Sequence, residues 1–209
     1  HMDTIRNVAG GKYSASVGYL CDYDNIWDAQ SDRWVSRVSK ESLKGWFVGS
    51  QLSHTPMDYC YLTESTSYSD LQKYSLLVYP HPAIITKKTA SLLKEYVKNG
   101  GTLIMGCRSG YKDSTGQCLA DPMPGPVSDL FGVTVSDFTF LNPHVKSPKM
   151  IWNDIACDAP VFHDILDVKK ETEVLGVYDS DYYAGMPGMT CNRYGNGKAI
   201  YFGAAFTAN

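Results

Sequence analysis

The sequence lacks the features that mark membrane, secreted and nucleic-acid-binding proteins. No apolar run approaches the roughly 18 residues needed to cross a bilayer, and the start at His1 has neither the basic nor the apolar segment of a secretion signal. The 19 Lys and Arg residues against 22 Asp and Glu give a net charge of −3 at pH 7. Because the basic residues form no cluster that could follow a phosphate backbone, neither nucleic acid nor a membrane is an expected partner.

Metal-site patterns are absent as well. The six cysteines form no C-x-x-C pair, and none has a nearby histidine at zinc-ligand spacing, so we expect no metal and no other cofactor. Cys21 and Cys60 lie in apolar, strand-like runs, where a reduced thiol behaves as a small hydrophobic side chain. Since a chain of this size does not need disulfides to be stable, the sequence favours a reducing compartment and a cytoplasmic protein.

The length excludes a complete barrel enzyme, because a closed eightfold β/α barrel needs about 250 residues and the chain has 209. A composition of 44% apolar and 12% aromatic residues is that of a folded globular protein. His1-Met2 looks like a cloning scar. We therefore predict a scar and N-terminal extension over residues 1–14 and a single α/β domain over residues 15–209.

The first half of the chain alternates strand and helix signals, which is typical of a parallel sheet with helices on both faces. The predicted strands are Val17–Cys21, Met57–Leu62, Ser75–Tyr79 and Thr102–Met105.

Three helices are predicted between these strands. The first runs from about Asn25 to Val38 with Asp24 as its cap, and its apolar side consists of Trp27, Trp34, Val35 and Val38. The second begins near Lys40 after a Ser39 cap, and the third extends from a Thr86 cap to a turn at Gly100.

After Gly106 the prolines predict loops with a single short helix, Val127–Phe131, ended by Gly132. The last third predicts three strands, Glu173–Tyr178, Met189–Tyr194 and Ala199–Phe202. Because no helix follows Gly195-Asn196-Gly197, those glycines indicate a tight hairpin rather than a phosphate-binding loop. The expected fold is a flavodoxin-like three-layer α/β sandwich, whose strand order begins 2-1-3-4 and whose mostly parallel sheet gains antiparallel strands from the C-terminal third.

In such sheets, ligands and partners meet the loops at the carboxyl ends of the strands. The residues that we expect to face a partner or ligand there are Asp22, Tyr23, Asp24, Trp27, His81, Arg108 and Ser109. Aromatic side chains crowd the first helical region and are enriched at protein interfaces. A second aromatic group, Trp152 and Phe162, lies in the irregular third quarter of the chain, and we expect at least one aromatic cluster to be an oligomer contact. The members of the first group are Tyr19, Tyr23, Trp27, Trp34 and Trp46.

Two arrangements at this edge could carry catalysis. His81 and Cys107 would follow neighbouring strands, where an imidazole can activate a thiolate and Arg108 can lower the thiol pKa. The segment around Cys107 does not fit the G-x-C-x-G turn that presents such a nucleophile, and no amphipathic helix follows it. For a glycosidase, Glu64 with Asp22 or Asp24 is the one pair of carboxylates that could converge, although capping and loop hydrogen bonds explain those aspartates equally well.

Six segments, taken in order, carry a family pattern. They are Val17–Trp27, Tyr74–Pro80, Leu93–Ile104, Arg108–Asp113, Pro124–Pro126 and Leu130–Val133, followed by a weaker likeness in Arg193–Lys198. Together they resemble the middle domain of the β-galactosidases of glycoside hydrolase family 42, over most of residues 15–140.

The resemblance implies a non-catalytic domain with a fold similar to class I glutamine amidotransferases, which holds three subunits together. In that family the acid/base and nucleophile glutamates belong to an N-terminal barrel, so no catalytic residue is carried over to this chain. The implied parent enzyme hydrolyses terminal β-D-galactosides with retention.

The leading hypothesis is thus a homotrimer-forming domain, inactive alone, beside a neighbouring catalytic barrel. The alternatives are a Cys-dependent enzyme that uses Cys107 and His81, and a sugar or small-molecule binding module at the carboxyl edge.

Overall fold

Strands and helices follow one another through the part of the chain that the structure describes. The structure is a computed structural model and describes residues 3–4, 6, 9–32 and 36–205. Its strands are β1 (Val17–Cys21), β2 (Met57–Tyr61), β3 (Leu76–Tyr79), β4 (Thr102–Gly106), β5 (Val133–Phe140), β6 (Lys149–Trp152), β7 (Ile155–Asp158), β8 (Phe162–Val168), β9 (Glu173–Tyr178), β10 (Pro187–Tyr194), β11 (Gly197–Phe202) and β12 (Ala204–Ala205). Its helices are α1 (Tyr23–Ser31), α2 (Ser36–Leu52), α3 (Tyr68–Leu71), α4 (Lys87–Lys98) and α5 (Ser128–Phe131).

A mixed sheet of nine strands organises the molecule, in the order β2-β1-β3-β4-β11-β10-β9-β6-β7. The five strands from β2 to β11 run parallel, and the pairs from β11 to β7 are antiparallel. The predicted order 2-1-3-4 is confirmed. The predicted hairpin is confirmed too, since Tyr194 pairs with Gly197 and Gly195 has a φ of 61°.

Helices pack on both faces of this sheet. On one face, α4 buries Leu93 and Tyr96 in a cluster that includes Leu77 of β3 and Leu103 of β4. On the other face lies α2, whose Leu43 carbonyl accepts a hydrogen bond of 3.1 Å from the Tyr19 hydroxyl. Side chains alternate between the two faces along each strand, which explains why neighbouring residues of β1 contact different helices.

The boundaries of α4 agree with the sequence prediction. The Thr86 side chain accepts a hydrogen bond from the backbone N–H of Thr89, which satisfies one of the free donors at the helix start. Gly100 has a φ of 112°, a conformation that glycine adopts without a steric penalty.

The prediction for the first helix is wrong in its bounds and its caps. The helix ends at Ser31 and α2 begins at Ser36, because Asp32 has extended backbone angles that stop the first helix. The cap is Asp22 rather than Asp24, and Ser39 lies inside α2. The predicted apolar positions Trp34 and Val35 lie outside the described residues.

The predicted loop region after Gly106 contains four strands, β5 to β8, which sequence patterns missed. β5, β8 and β12 form a separate three-stranded sheet in the order β12-β8-β5. A register shift between Val135 and Asp137 interrupts the alternation of β5. The prolines lie between the strands instead of abolishing them, since Pro143 and Pro148 stand in the connection from β5 to β6.

Within the described ranges, no helix has both the length and the apolar character to span a bilayer.

Candidate functional site

Asp22 links the carboxyl ends of two parallel strands to the first helix. Its Oδ1 accepts a hydrogen bond of 2.8 Å from the Asn25 backbone N–H, and its Oδ2 accepts one of 2.8 Å from the Asn25 amide. The hydroxyl of Tyr79, at the end of β3, donates a short hydrogen bond to the same Oδ2. Burial, and next the charge of Asp22, raise the pKa of Tyr79 well above its usual value, so the phenol stays protonated and remains a donor.

Polar contacts hold α1 against the rest of the domain, because this helix has no buried side chain. The Asn25 side-chain amide forms two hydrogen bonds with the backbone of Ile84. Its Oδ1 accepts from the Ile84 N–H at 2.8 Å, and its Nδ2 donates to the Ile84 carbonyl at 3.0 Å. Lys112 donates from Nζ to Asp28 at 2.8 Å and to Asp32 at 3.0 Å. Burial lowers the pKa of Lys112, but these carboxylates raise it by more, so the ammonium stays charged.

Exposed aromatic rings cover the outer side of α1 and the edge strand β2. We call this surface the edge aromatic patch; its members are Tyr23, Trp27, Phe47, Tyr59 and Tyr61. The Tyr23 ring lies 5.6 Å from Trp27 and stacks on Tyr61 at 5.4 Å, and Phe47 lies 6.2 Å from Tyr59. Trp27 is 59% exposed and Tyr23 is 54% exposed. Exposed apolar side chains that touch one another in this way mark interaction surfaces more often than single exposed rings do.

The other predicted aromatic residues lie elsewhere. Tyr19 is buried beneath the patch and contacts Tyr59 at 5.1 Å, whereas Trp46 packs against Phe202 of β11 at 6.1 Å. Trp34 lies outside the described residues.

A cleft of about 220 Å³ opens beside Tyr23 at the carboxyl ends of β1, β2 and β3. Its walls include the carboxylates of Asp22, Asp24 and Glu64, together with Lys88. Glu64 lies 3.2 Å from Lys88 in an ion pair and its side chain is 93% exposed, while Asp22 is engaged by Asn25 and Tyr79. The cleft therefore does not provide the opposed acid and base, one of them desolvated, that glycoside hydrolysis requires.

His81 and Cys107 are close together, but their bonding does not create a nucleophile. The His81 Nδ1–H donates to the backbone carbonyl of Cys107 at 2.8 Å and not to the thiol. Burial raises the pKa of the Cys107 thiol well above its usual value, and burial lowers the pKa of His81 to about 4. The thiol stays protonated at neutral pH, which is the opposite of what a Cys–His enzyme needs.

These surroundings predict a slow reaction of Cys107 with iodoacetamide in the folded chain. We expect Cys118, which is exposed, to be alkylated first at pH 8, because only the accessible thiolate reacts. Peptide mass spectrometry over a time course measures both rates in one sample. Faster labelling at Cys107 than at Cys118 would revive the thiol-enzyme hypothesis.

Arg108 and Ser109 of the same loop differ in burial. Ser109 is fully buried and donates from Oγ to the Gly106 carbonyl at 2.7 Å, so it does not reach the surface. His81 is buried in the same region, whereas Arg108 is only half-buried. Of the predicted residues, the exposed ones are thus Tyr23, Asp24 and Trp27.

A buried carboxylate on β8 escaped the sequence prediction. Asp164 is fully buried, and its Oδ2 accepts hydrogen bonds from the Arg108 backbone N–H at 2.7 Å and the Tyr201 hydroxyl at 2.8 Å. Burial raises the pKa of Asp164 to about 6 despite these donors. The available signal was a charged residue type between the apolar residues Phe162 and Ile165, which is unusual for a buried strand.

Among the described residues, no group of three or more His, Cys, Asp and Glu side chains is placed to hold a metal ion.

Comparison with known proteins identifies a family that matches this chain. A family model described as the β-galactosidase trimerisation domain matches residues 15–209. The β-galactosidase Pbg of Clostridium perfringens is 27% identical in an alignment 209 positions long, which covers 96% of this chain and 30% of that protein. The β-galactosidase BgaB of Geobacillus sp. is 29% identical in an alignment 206 positions long, which covers 94% of this chain and 28% of that protein.

A solved structure shares the fold. The cold-adapted β-galactosidase from Rahnella sp. R3 superposes with a TM-score of 0.80 at 19% identity, over 99% of this chain and 31% of that one. At this identity the similarity establishes the fold alone. The chain spans about 30% of the length of the curated relatives that it matches.

Proposed function

The chain belongs to the family of β-galactosidase trimerisation domains, and from that membership we propose that it binds copies of itself and thereby joins three subunits of a longer β-galactosidase of glycoside hydrolase family 42. The observation that carries this proposal is the family match, which runs through residues 15–209 without interruption.

The chemistry of cleavage, in this proposal, belongs to a catalytic barrel that neighbours the domain in the longer enzyme. The relatives are about three times as long as the stretch that they share with this chain, which leaves room for such a barrel. The arrangement of the residues agrees with this division. Glu64 and Asp22 are engaged by other side chains, and Cys107 is held as a thiol.

We further propose that the edge aromatic patch is part of the association surface. Two of its rings, Tyr59 and Tyr61, lie on β2, the last strand at one side of the nine-stranded sheet, and the others lie on α1 and α2 beside it. Tyr and Trp are enriched at the centres of interfaces because they bury large areas with few rotatable bonds. Helix α1 supports this role, since its polar contacts fix its position and leave Tyr23 and Trp27 uncovered.

Three finer assignments accompany the proposal. The order 2-1-3-4-11 of the parallel strands supports a flavodoxin-like arrangement, similar to class I glutamine amidotransferases. We assign residues 15–209 to a single domain. The cysteines, all six of which are free thiols in the structure, are consistent with a cytoplasmic protein.

A hydrolysis assay tests the proposed division of labour. We expect this chain, incubated with nitrophenyl β-D-galactopyranoside, to release no more nitrophenol than buffer does. The β-galactosidase Pbg at the same molar concentration is the positive control. Turnover that survives repurification of the chain would contradict the proposal, because it would place a working acid and nucleophile within these 209 residues.

A further inference from the structure

Arg108 has a strained backbone at the end of β4. Its φ is 53°, in the left-handed region that arginine seldom adopts. The Asp164 carboxylate holds this conformation by accepting the Arg108 backbone N–H at 2.7 Å. Strain of this kind persists only where the surroundings enforce it, and it is concentrated at functional positions.

Four aromatic rings surround the guanidinium group. Its carbon lies 4.4 Å from the ring centre of Tyr111, 4.9 Å from Phe138, 5.3 Å from Phe140 and 5.5 Å from Phe162. We call Arg108 and these four residues the arginine collar. The rings fix the direction of the cation through cation–π attraction, which strengthens as water is removed.

The cation within the collar has no carboxylate partner in the described ranges. Arg108 forms no ion pair within 4 Å there, and its Nε–H is buried without an acceptor. The neighbouring Lys112 differs, since Asp28 and Asp32 neutralise it. Arginine presents its donors as a rigid fork that matches a carboxylate, so the collar has an unused recognition group.

The rim of the collar is open to solvent. Phe138 is 44% exposed and Phe140 is 40% exposed, and both lie on β5, the edge strand of the three-stranded sheet. An unpaired guanidinium with an apolar rim suits a carboxylate that arrives with a protein surface, because the rim then excludes water from the charge pair.

We infer that the arginine collar binds an aspartate or glutamate side chain of a second copy of this chain. The inference rests on the proposed function and names one contact of the association. A closed ring of three uses two different patches of each chain, one against each neighbour. In the part of the chain that the structure describes, the edge aromatic patch and the collar are separate exposed surfaces. The patch is flanked by the exposed carboxylate of Asp24, and the collar contains the unpaired cation.

Sedimentation equilibrium of the intact chain and two variants tests the inference. Arg108→Gly removes the cation and suits the positive φ of this position, and Arg108→Lys keeps the charge without the planar fork. We expect both to weaken self-association by at least about tenfold, which is roughly 1.4 kcal/mol. The matched control is Arg193→Ala, which alters an exposed arginine of β10 and leaves association unchanged. Circular dichroism verifies that each variant is folded.

The salt dependence of self-association distinguishes the loss of a charge contact from a change in the structure of the variant. Association of the unmodified chain is expected to weaken as NaCl is raised, and Arg108→Gly to lose most of that dependence. If the unmodified chain associates and both Arg108 variants match it, the collar inference is overturned while the proposed function stands. If the unmodified chain stays monomeric at every concentration, the proposed function fails, and this inference fails with it.

Discussion

Replacement of Lys112 by methionine is expected to lower the free energy of unfolding by about 3 kcal/mol. The Lys112 side chain is only 7% exposed, and its Nζ lies 2.8 Å from Asp28 and 3.0 Å from Asp32. Removing the cation takes this counter-charge from the Asp28 carboxylate of α1, whose side chain is only 13% exposed. The loss is large because an unpaired charge in such a site costs more than the pair contributes.

The effect should be concentrated in α1. Without the ammonium, the helix keeps the hydrogen bonds of Asn25 with Ile84 and the Asp22 cap. Urea unfolding followed by circular dichroism gives the stability change, and hydrogen exchange of residues 23–31 locates it. The control is Lys87→Met, at an exposed position of α4. Equal stabilities of Lys112→Met and Lys87→Met would show that the buried ion pair does not hold the helix.

Replacement of Gly106 by alanine is expected to destabilise the chain by about 3 kcal/mol, at the upper end of overpacking effects. A Cβ added at Gly106 would overlap the carbonyl oxygen of Pro80, a backbone atom that cannot move without its strand. Gly106 is the last residue of β4 and Pro80 follows the neighbouring β3, so relief of the overlap separates the carboxyl ends of these two strands. The loops that contain His81 and Arg108 would move with them.

Gly49 supplies the matched control for this substitution. It lies within α2, and an added Cβ would meet no atom within 4 Å. Gly49→Ala should therefore stabilise the chain by about 1 kcal/mol, because alanine favours the helix. The opposite signs of the two changes, measured by urea unfolding, distinguish steric overlap from a general effect of the added methyl group. A loss under about 0.5 kcal/mol for Gly106→Ala, well below ordinary overpacking, would contradict the packing at this edge.

The parallel half of the sheet was predictable because its signals are local. Val17–Cys21 is bounded by a capping aspartate, and α4 has both a Thr86 cap and a Gly100 turn. The region after Gly106 was not predictable from local signals. The pairing residues of β5 and β8 are distant in sequence, and a bulge disrupts the alternation of β5. Proline positions mark the connections there and give no information about the strands between them.

The site was predictable only in its location. Sequence placed Tyr23, Trp27 and Arg108 at the carboxyl edge, but their exposure depends on what packs over them. The break at Asp32 leaves α1 as a helix without a buried face, and no local pattern predicts that Lys112, more than 80 residues away, fixes it. Likewise, Asp164, which accepts the Arg108 backbone N–H, lies on β8 of the three-stranded sheet, and the sequence pattern did not predict that sheet.

The mass of the chain in solution tests the central claim most directly, because a domain whose role is association must associate. Sedimentation equilibrium over a range of concentrations should show an average mass that rises toward that of three chains. The same experiment at high salt should shift the curve to higher concentration. A mass that stays at the value of one chain, up to the highest concentration that remains in solution, would contradict the account.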